Sequence, residues 1–186
     1  MSKISFITGS SEKFAEASLI VAGLQRVDCD LPEIQELDQK KIIHSKLLAA
    51  QAQGYENIIV EDTGLYFESL KFSLPGPLIK WFVKSLGNEG LTALAQKEGH
   101  SEAYALTTVG YLASSSSKPL YFEGKMEGTI VTARGSGFGW DAIFQPHNLA
   151  LTLGEMSPKD KTAISHRGKA FKAMAQYLNL RTKSES

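Results

Sequence analysis

The sequence predicts an α/β fold in two lobes with a cleft between them, and three observations support this prediction. The chain opens with an apolar stretch over 4–8 that leads through a glycine-containing turn into a helical pattern. A second apolar run, 58–60, leads directly into two carboxylates, Glu61 and Asp62. From residue 102 the apolar period changes from helical towards two, which indicates antiparallel strands. A half that alternates strand and helix, followed by a strand-rich half, indicates two lobes.

Length and composition limit the class of protein. The 186 residues fit a single domain over 1–186 that can bury a sizeable core. Twenty basic side chains balance twenty acidic ones, so the overall charge favours neither nucleic acid nor a membrane as a partner. The single cysteine, Cys29, excludes an internal disulfide, and 4–7 is too short for a signal-peptide core. We expect a soluble cytoplasmic protein.

The first half of the chain predicts strands and helices in alternation. Apolar spacing, capping residues and glycine stops define each of these elements. We expect strands near 4–8 and 27–29, helices over 12–24 and 36–53, and a strand from Ile58 up to the acids before Gly64. Because this last strand begins with consecutive apolar residues, we expect it to be buried on both faces.

The second half predicts two helices, an antiparallel meander and a C-terminal helix. Proline and glycine mark its turns, and a serine before a proline marks the start of its last helix. The expected elements are a turn over 74–77, helices ending at Gly87 and Lys97, three strands within 103–113 and 119–131 with turns over 114–118 and near Gly124 or Gly128, a glycine-rich loop over 134–141, a strand over 142–145, a helix from Ser157 and a frayed tail over 180–186.

The acids of the buried strand are the first candidates for chemistry. A buried carboxylate is costly unless it is paired, hydrogen-bonded or bound to a cation. Adjacent strand residues point to opposite faces, so at most one of Glu61 and Asp62 is expected to face a given cleft wall. Glu33, which follows a proline, could join Asp62 on Mg²⁺ or Mn²⁺, because these cations prefer oxygen ligands. A solvated loop acid and a solvated strand end are the alternatives.

Two further stretches have a pattern typical of nucleotide binding. Thr8, Gly9, Ser10 and Lys13 stand at a strand-to-helix junction, where backbone amides, hydroxyls and a lysine can hold phosphate. The spacing of a Walker A loop is absent, and a tight turn with a surface lysine is the alternative. The loop over 138–141 could stack a planar base and accept a hydrogen bond from it, or could be a structural glycine loop.

The basic residues near the C-terminus form the densest positive cluster of the chain. With Lys13 and Lys80, this cluster could neutralise a triphosphate. A solvated helix face is the alternative. The cluster consists of Lys159, Lys161, His166, Arg167 and Lys169.

Taken together, these stretches resemble the inosine triphosphate pyrophosphatase family, also called Ham1-like, over nearly the whole chain. The order and spacing of the motifs are specific to that family, although each motif alone is not. One departure is Ser10, where the family usually has asparagine, and the loop before Phe138 is one residue shorter than in some members. The motifs are Thr8-Gly9 with Lys13, Asp30-Leu31-Pro32-Glu33, Val60-Glu61-Asp62-Thr63, Leu74-Pro75-Gly76-Pro77 with Lys80-Trp81-Phe82, Phe138-Gly139-Trp140-Asp141, and Ser165-His166-Arg167.

The resemblance implies a fold, a reaction and an assembly. The implied fold is an elongated, two-lobed α/β fold, in which a long curved mixed sheet is flanked by helices and a nucleotide cleft lies between the lobes. The implied reaction splits ITP, dITP or XTP into the monophosphate and pyrophosphate with Mg²⁺, which removes deaminated purines from the nucleotide pool. A homodimer is also implied.

The resemblance also implies a role for each motif residue. Glu33 and Asp62 would hold Mg²⁺, and Asp62 would orient or deprotonate the attacking water. Glu61 is assigned no catalytic role. The implied substrate-binding residues grip the phosphates, stack on the purine or donate towards its 6-oxo group, and they are Thr8, Gly9, Ser10, Lys13, Lys80, Phe138, Gly139, Trp140, Asp141, Lys161, Ser165, His166 and Arg167.

Two alternative functions stay open at this point. Ser10 in place of asparagine is the one feature that favours a non-catalytic nucleotide-binding module. A related pyrophosphatase with a different modified nucleotide as its substrate is the other. A panel of purine triphosphates with Mg²⁺ separates all three functions.

Overall fold

The computed structural model describes residues 3–29 and 31–184, with side chains up to residue 178. Asp30 of the second motif and the end of the predicted tail lie outside the described residues. The described chain contains seven strands and five α-helices, which in order are β1 (Ser5–Ile7), α1 (Ser11–Ser18), β2 (Gln25–Val27), α2 (Gln39–Ala52), β3 (Ile58–Phe67), β4 (Pro75–Gly76), α3 (Ile79–Ala95), β5 (Glu102–Leu112), β6 (Leu120–Ile130), β7 (Phe144–Pro146), α4 (Pro158–Ile164) and α5 (His166–Ser184).

One mixed sheet joins all seven strands. Its order is β2-β1-β3-β5-β6-β7, with β4 pairing to β3 outside this path. The two pairs made by β1 are parallel, and every other pair is antiparallel. The predicted α/β class, with a long mixed sheet flanked by helices, is confirmed.

Strand β3 is longer than the sequence predicted. The prediction that it ends at the acids was wrong, because β5 pairs with it at every position from Ile58 to Phe67. Gly64 lies inside the strand and does not stop it. A Cβ at Gly64 would come within 2.8 Å of the Tyr66 ring and 3.0 Å of the Gly76 backbone, so the glycine admits β4 to the edge of β3.

The edge of β3 facing β1 and β4 changes its partner at the acids. β1 pairs with β3 only at Ile58 and Ile59, and β4 pairs with it only at Leu65 and Tyr66. Among the described strands none pairs with this edge over 60–64. The acids lie in this gap, beside the carboxyl end of β1, and such a switch in strand order is where open α/β sheets bind ligands.

Strand β6 is continuous where the sequence predicted a turn. The expected turn near Gly124 or Gly128 was wrong, because both residues pair with β5 within one eleven-residue strand. A Cβ at Gly124 would lie 2.0 Å from the His166 backbone oxygen and 2.6 Å from the Ala170 nitrogen. The glycine therefore allows α5 to pack directly on the sheet.

The structure shows where two helices with predicted ends actually stop or break. α1 stops at Ser18 and not near residue 24, because the amides of Leu19 and Ile20 bond to carbonyls only three residues back and Gly23 then takes a φ of +73°. In α3, Gly87 breaks the helical dihedrals with a φ of 64°, as predicted. The structure continues α5 to Ser184, within the range where fraying was expected.

Apolar clusters lie on both sides of the acids along the sheet. At one end, Ile59 packs with α1 and α5 on one face, and Val60 packs with α2 on the other. At the opposite end, Leu65 and Phe67 pack against α3 and the Trp140 loop. These clusters form the cores of two lobes. Among the described helices, none is long and apolar enough to cross a membrane.

We predict that Gly124→Ala destabilises the protein strongly. The new methyl group would overlap the α5 backbone, and inserting atoms into a packed core costs about 1–3 kcal/mol or more. Urea unfolding measures the loss. Gly9→Ala is the control, because its nearest contact would be 3.9 Å away. Equal stability of the two variants would contradict the close packing of α5 on β6.

Candidate active site

A cleft of about 630 Å³ opens beside the gap in the β3 edge. Loops and helices from both lobes line it. The structure brings thirteen of the residues predicted from the sequence into its wall: Thr8, Gly9, Ser10, Lys13, Glu33, Asp62, Lys80, Phe138, Gly139, Trp140, Asp141, His166 and Arg167.

The loop between β1 and α1 forms one end of the cleft. Ser10 caps α1, because its hydroxyl oxygen accepts a hydrogen bond from the Lys13 amide at 3.1 Å. The same hydroxyl donates to Glu12 at 3.0 Å, and the Ser10 amide donates to Thr8 Oγ1 at 3.1 Å. Ser10 therefore keeps the loop and the helix start ordered.

Asp62 projects from β3 towards α2 and is buried. Gln39 Nε2 donates to its Oδ2 at 3.1 Å, and Lys46 Nζ lies 3.9 Å from its Oδ1. Burial raises the pKa of Asp62, although the Lys46 and Lys13 charges oppose the rise. The sequence reasoning missed Gln39 and Lys46. They are seven residues apart on α2, a spacing that places them on one helix face, but only the docking of α2 shows that this face meets Asp62.

Lys46 connects the two acids that were predicted to hold a metal. Its Nζ lies 2.7 Å from Glu33 Oε2, while it also approaches Asp62. Burial alone would raise the pKa of Glu33, but the Lys46 charge and its hydrogen bond outweigh burial and lower that pKa. The two carboxylates therefore converge on a single positive charge.

Glu61 projects from the opposite face of β3 and is fully paired. Lys13 Nζ lies 2.7 Å from one carboxylate oxygen and Arg167 Nε lies 2.5 Å from the other. Burial would raise the pKa of Glu61, but these two charges hold it well below the ordinary range. The two acids thus point to opposite faces of β3, as expected, and the cleft beside the strand edge is lined by both of them.

The pairs around Glu61 belong to a longer chain of buried charges. Glu16, which the sequence reasoning missed, accepts from Arg167 at 2.6 Å and from Lys161 at 2.7 Å. Lys161 also reaches Asp141 at 2.6 Å. Positive and negative side chains alternate along this series, so each buried charge lies beside a charge of opposite sign. In order the members are Asp141, Lys161, Glu16, Arg167, Glu61 and Lys13.

Aromatic rings form the other end of the cleft. Phe138 is 42% exposed and lines the cleft. Trp140 is buried and stacks on His166, with ring centroids 5.3 Å apart. Burial lowers the pKa of His166 well below its ordinary value, so the imidazole is neutral. Within the described residues its Nδ1 has no hydrogen-bond partner.

Two predicted site residues do not line the cleft. Ser165 is buried, and its hydroxyl accepts from the Gly168 amide at 3.0 Å, at the start of α5. Lys161 is buried between Glu16 and Asp141. Arg167 does line the cleft, but carboxylates already engage its guanidinium. Lys161 and Arg167 thus hold other site residues in place, and Ser165 bonds to the backbone in the first turn of α5.

Known proteins resemble this chain over almost its full length. A sequence model of the Ham1 family matches residues 4–177. The inosine triphosphate pyrophosphatase of Batrachochytrium dendrobatidis is 40% identical over 183 residues, covering 96% of this chain and 95% of that protein. That of Kluyveromyces lactis is 40% identical over 187 residues, covering 95% of each. A HAM1 protein structure from Coxiella burnetii has a TM-score of 0.75 and 25% identity, covering 96% of this chain and 99% of its own.

We predict that Glu16→Gln lowers stability and weakens its dependence on pH. Burial would raise the pKa of Glu16, but Arg167 and Lys161 outweigh burial and lower it. A lowered folded-state pKa stabilises the protein above the unfolded value, about 4.3, and this contribution is lost as the pH falls further. Neutralising one member of a buried pair costs about 3–5 kcal/mol at neutral pH.

Urea unfolding between pH 3 and 7 measures both effects. The wild-type protein should lose stability below about pH 4.3 more steeply than Glu16→Gln does. Glu89→Gln changes an exposed acid on α3 and should follow the wild-type curve. Parallel curves for the wild type and Glu16→Gln would contradict the buried pairing.

Proposed function

This chain belongs to the Ham1 family, and on that premise we propose that it hydrolyses inosine triphosphate and related deaminated purine nucleoside triphosphates. The products are the nucleoside monophosphate and pyrophosphate. The protein is thus a nucleoside triphosphate pyrophosphatase, an enzyme that cleanses the nucleotide pool. dITP and XTP are the further substrates that we propose.

A single observation supports this function most strongly: one cleft combines a cationic end with an aromatic end. Lys13 at the start of α1 and Lys80 at the start of α3 both line the cleft, and a triphosphate tail needs such positive charge together with the backbone amides that the β1–α1 loop offers. Phe138, which is partly exposed, lines the other end of the cleft, where we propose that a purine stacks on its ring. Asp62 on β3 lines the same cleft.

Glu33 and Asp62 fit a hard divalent cation. Both carboxylates already approach one positive charge, Lys46 Nζ, at 2.7 Å and 3.9 Å. In the part of the chain that the structure describes, no three acidic, histidine or cysteine side chains are grouped to hold a metal by themselves. Mg²⁺ usually takes one or two carboxylates and completes its shell with water and substrate phosphates. We therefore propose that Glu33 and Asp62 hold Mg²⁺, or Mn²⁺, against the phosphates.

Asp62 is the residue that we assign to the attacking water. When bound, Mg²⁺ would offset the negative charge of the phosphates. The Asp62 carboxylate orients the water and accepts its proton, and the raised pKa of Asp62 makes that carboxylate a better base near neutral pH. Lys13 and Lys46 offset the negative charge of the phosphates as the water approaches.

His166 is the residue that we assign to the 6-oxo group of the purine. A neutral imidazole donates one hydrogen bond from a ring nitrogen, and the 6-oxo group of hypoxanthine accepts it. Adenine has an amine donor at that position, which would leave the imidazole donor unpaired. Lys161 and Arg167 act indirectly, because their charges hold Asp141 and Glu61.

We also propose a cytoplasmic homodimer. Family resemblance supports the dimer, and the single cysteine supports the reducing compartment. A groove of about 380 Å³ on the sheet carries aromatic rings and charges of both signs, as a self-complementary surface would. Sedimentation equilibrium would give the mass of the assembly in solution.

We predict that Asp62→Asn lowers kcat by about 10²–10⁴-fold and changes substrate affinity little, because a general base acts on the transition state. Release of IMP and pyrophosphate from ITP with Mg²⁺ measures kcat, and calorimetry measures affinity. Asp160→Asn, at the exposed start of α4, is the control and should keep the wild-type rate. If the wild-type protein turned over no purine triphosphate, the proposed function would be rejected, and tight ITP binding would then favour the binding module.

We predict that His166→Ala narrows the preference for ITP over ATP. Loss of one neutral hydrogen bond should reduce the ratio of the two kcat/KM values by up to about 10-fold. His44→Ala removes an exposed histidine of α2 that bonds Tyr121 at 3.0 Å, and its ratio should match the wild type. An unchanged ratio in His166→Ala would remove this side chain from base recognition.

A further inference from the structure

The buried amide of Gln39 makes three polar contacts next to Asp62. Its Nε2 donates to Asp62 Oδ2 at 3.1 Å and to the Leu106 backbone oxygen at 3.1 Å. Its Oε1 accepts from the Tyr66 hydroxyl at 3.4 Å. Gln39 is only 4% exposed, so water does not compete freely for these groups.

These contacts fix which way the amide points. Both neighbours of Nε2 are acceptors, a carboxylate and a carbonyl, and the neighbour of Oε1 is a hydroxyl that donates. A flipped amide would turn its oxygen against two acceptors and its NH₂ group towards the hydroxyl. The Tyr66 ring is itself held in place, because it stacks on Tyr104 with centroids 4.6 Å apart and an interplanar angle of 12°.

The contacts also distinguish the two oxygens of Asp62. Oδ2 accepts from Gln39, whereas Oδ1 lies 3.9 Å from Lys46 Nζ, and the residue lines the cleft. Rotation of the carboxylate would break the Gln39 bond and would leave a buried donor unpaired. The carboxylate therefore has one preferred orientation before any substrate binds.

We propose that Gln39 is a positioning residue for the reaction: it holds Asp62 through Oδ2 so that Oδ1 is presented to the water and the phosphates. Tyr66 in turn holds Gln39, because its hydroxyl donates a hydrogen bond to the Gln39 amide oxygen. This inference rests on the proposed function, since it assigns Oδ1 as the oxygen that acts in hydrolysis. By this inference, α2 and the stacked pair Tyr66–Tyr104 help to position the active-site carboxylate.

Gln39→Met is the decisive variant, because methionine keeps the length of the side chain and removes the amide. If Gln39 only filled space, a side chain of similar volume would replace it without loss of activity. Removal of a residue that orients a catalytic group lowers activity by about 10- to 100-fold. We expect kcat for ITP to fall within that range while KM changes little. Tyr66→Phe removes only the hydroxyl and should lower kcat less, in the same direction.

The matched control is Gln51→Met on the same helix. Gln51 Nε2 donates to the Ser115 backbone oxygen at 2.9 Å, outside the cleft, so its kcat should equal that of the wild type. Thermal unfolding of each variant sets an assay temperature at which all are folded. Unchanged kcat in both Gln39→Met and Tyr66→Phe would overturn the inference.

A second measurement tests the contact without turnover. The Gln39 side-chain amide protons, observed by ¹H–¹⁵N NMR, should exchange with solvent more slowly than those of Gln51, and Asp62→Ala should speed their exchange. Equal exchange rates for the two glutamines in the wild-type protein would overturn the inference. If the wild type turned over no triphosphate, only the proposed function would fail, and the exchange rates would still decide whether Gln39 holds Asp62.

Discussion

The alternating chain of buried charges is the interaction on which the cleft depends. It ties the aromatic end of the cleft to the start of α1, because its first member holds the loop of Phe138 and its last is Lys13. An unpaired charge in such a place would be strongly destabilising, whereas an alternating series leaves none unpaired. The site therefore assembles as a unit, and its members come from α1, β3, α4, α5 and the loop before β7. They are Asp141, Lys161, Glu16, Arg167, Glu61 and Lys13.

The gap in the β3 edge determines where this network meets solvent. β1 leaves β3 after Ile59, and β4 joins it only at Leu65, and the cleft is lined by Glu61, Asp62 and Thr63 between them. Glu61 is held by cations from α1 and α5 on one face, and Asp62 by groups from α2 on the other. Glu61 is thus paired with two cations, whereas Asp62 accepts from an amide and lies near one lysine.

Glycines explain where sequence reasoning about the fold succeeded and where it failed. Gly87 interrupts α3 where a helix end was predicted, because its φ of 64° is a backbone conformation that glycine adopts without strain. Gly64 and Gly124 lie within strands, where the missing side chain admits β4 and α5. A helix stop depends on local dihedrals, which the sequence encodes nearby. Close approach depends on an element distant in the sequence, so the same residue type was interpreted as a turn or an end.

The sequence by itself determined the α/β class, most of the elements and thirteen residues of the cleft wall, because apolar periodicity and motif spacing are local properties. Only the tertiary structure decided the partners of those residues. Three of these partners, Lys46, Gln39 and Glu16, belong to none of the sequence motifs. Their contacts follow from which helix faces meet β3 and α5. The pairing of Arg167 depends on groups 106 and 151 residues away. Such distant contacts form only when the lobes pack, and this packing gives the two adjacent acids of β3 separate sets of partners.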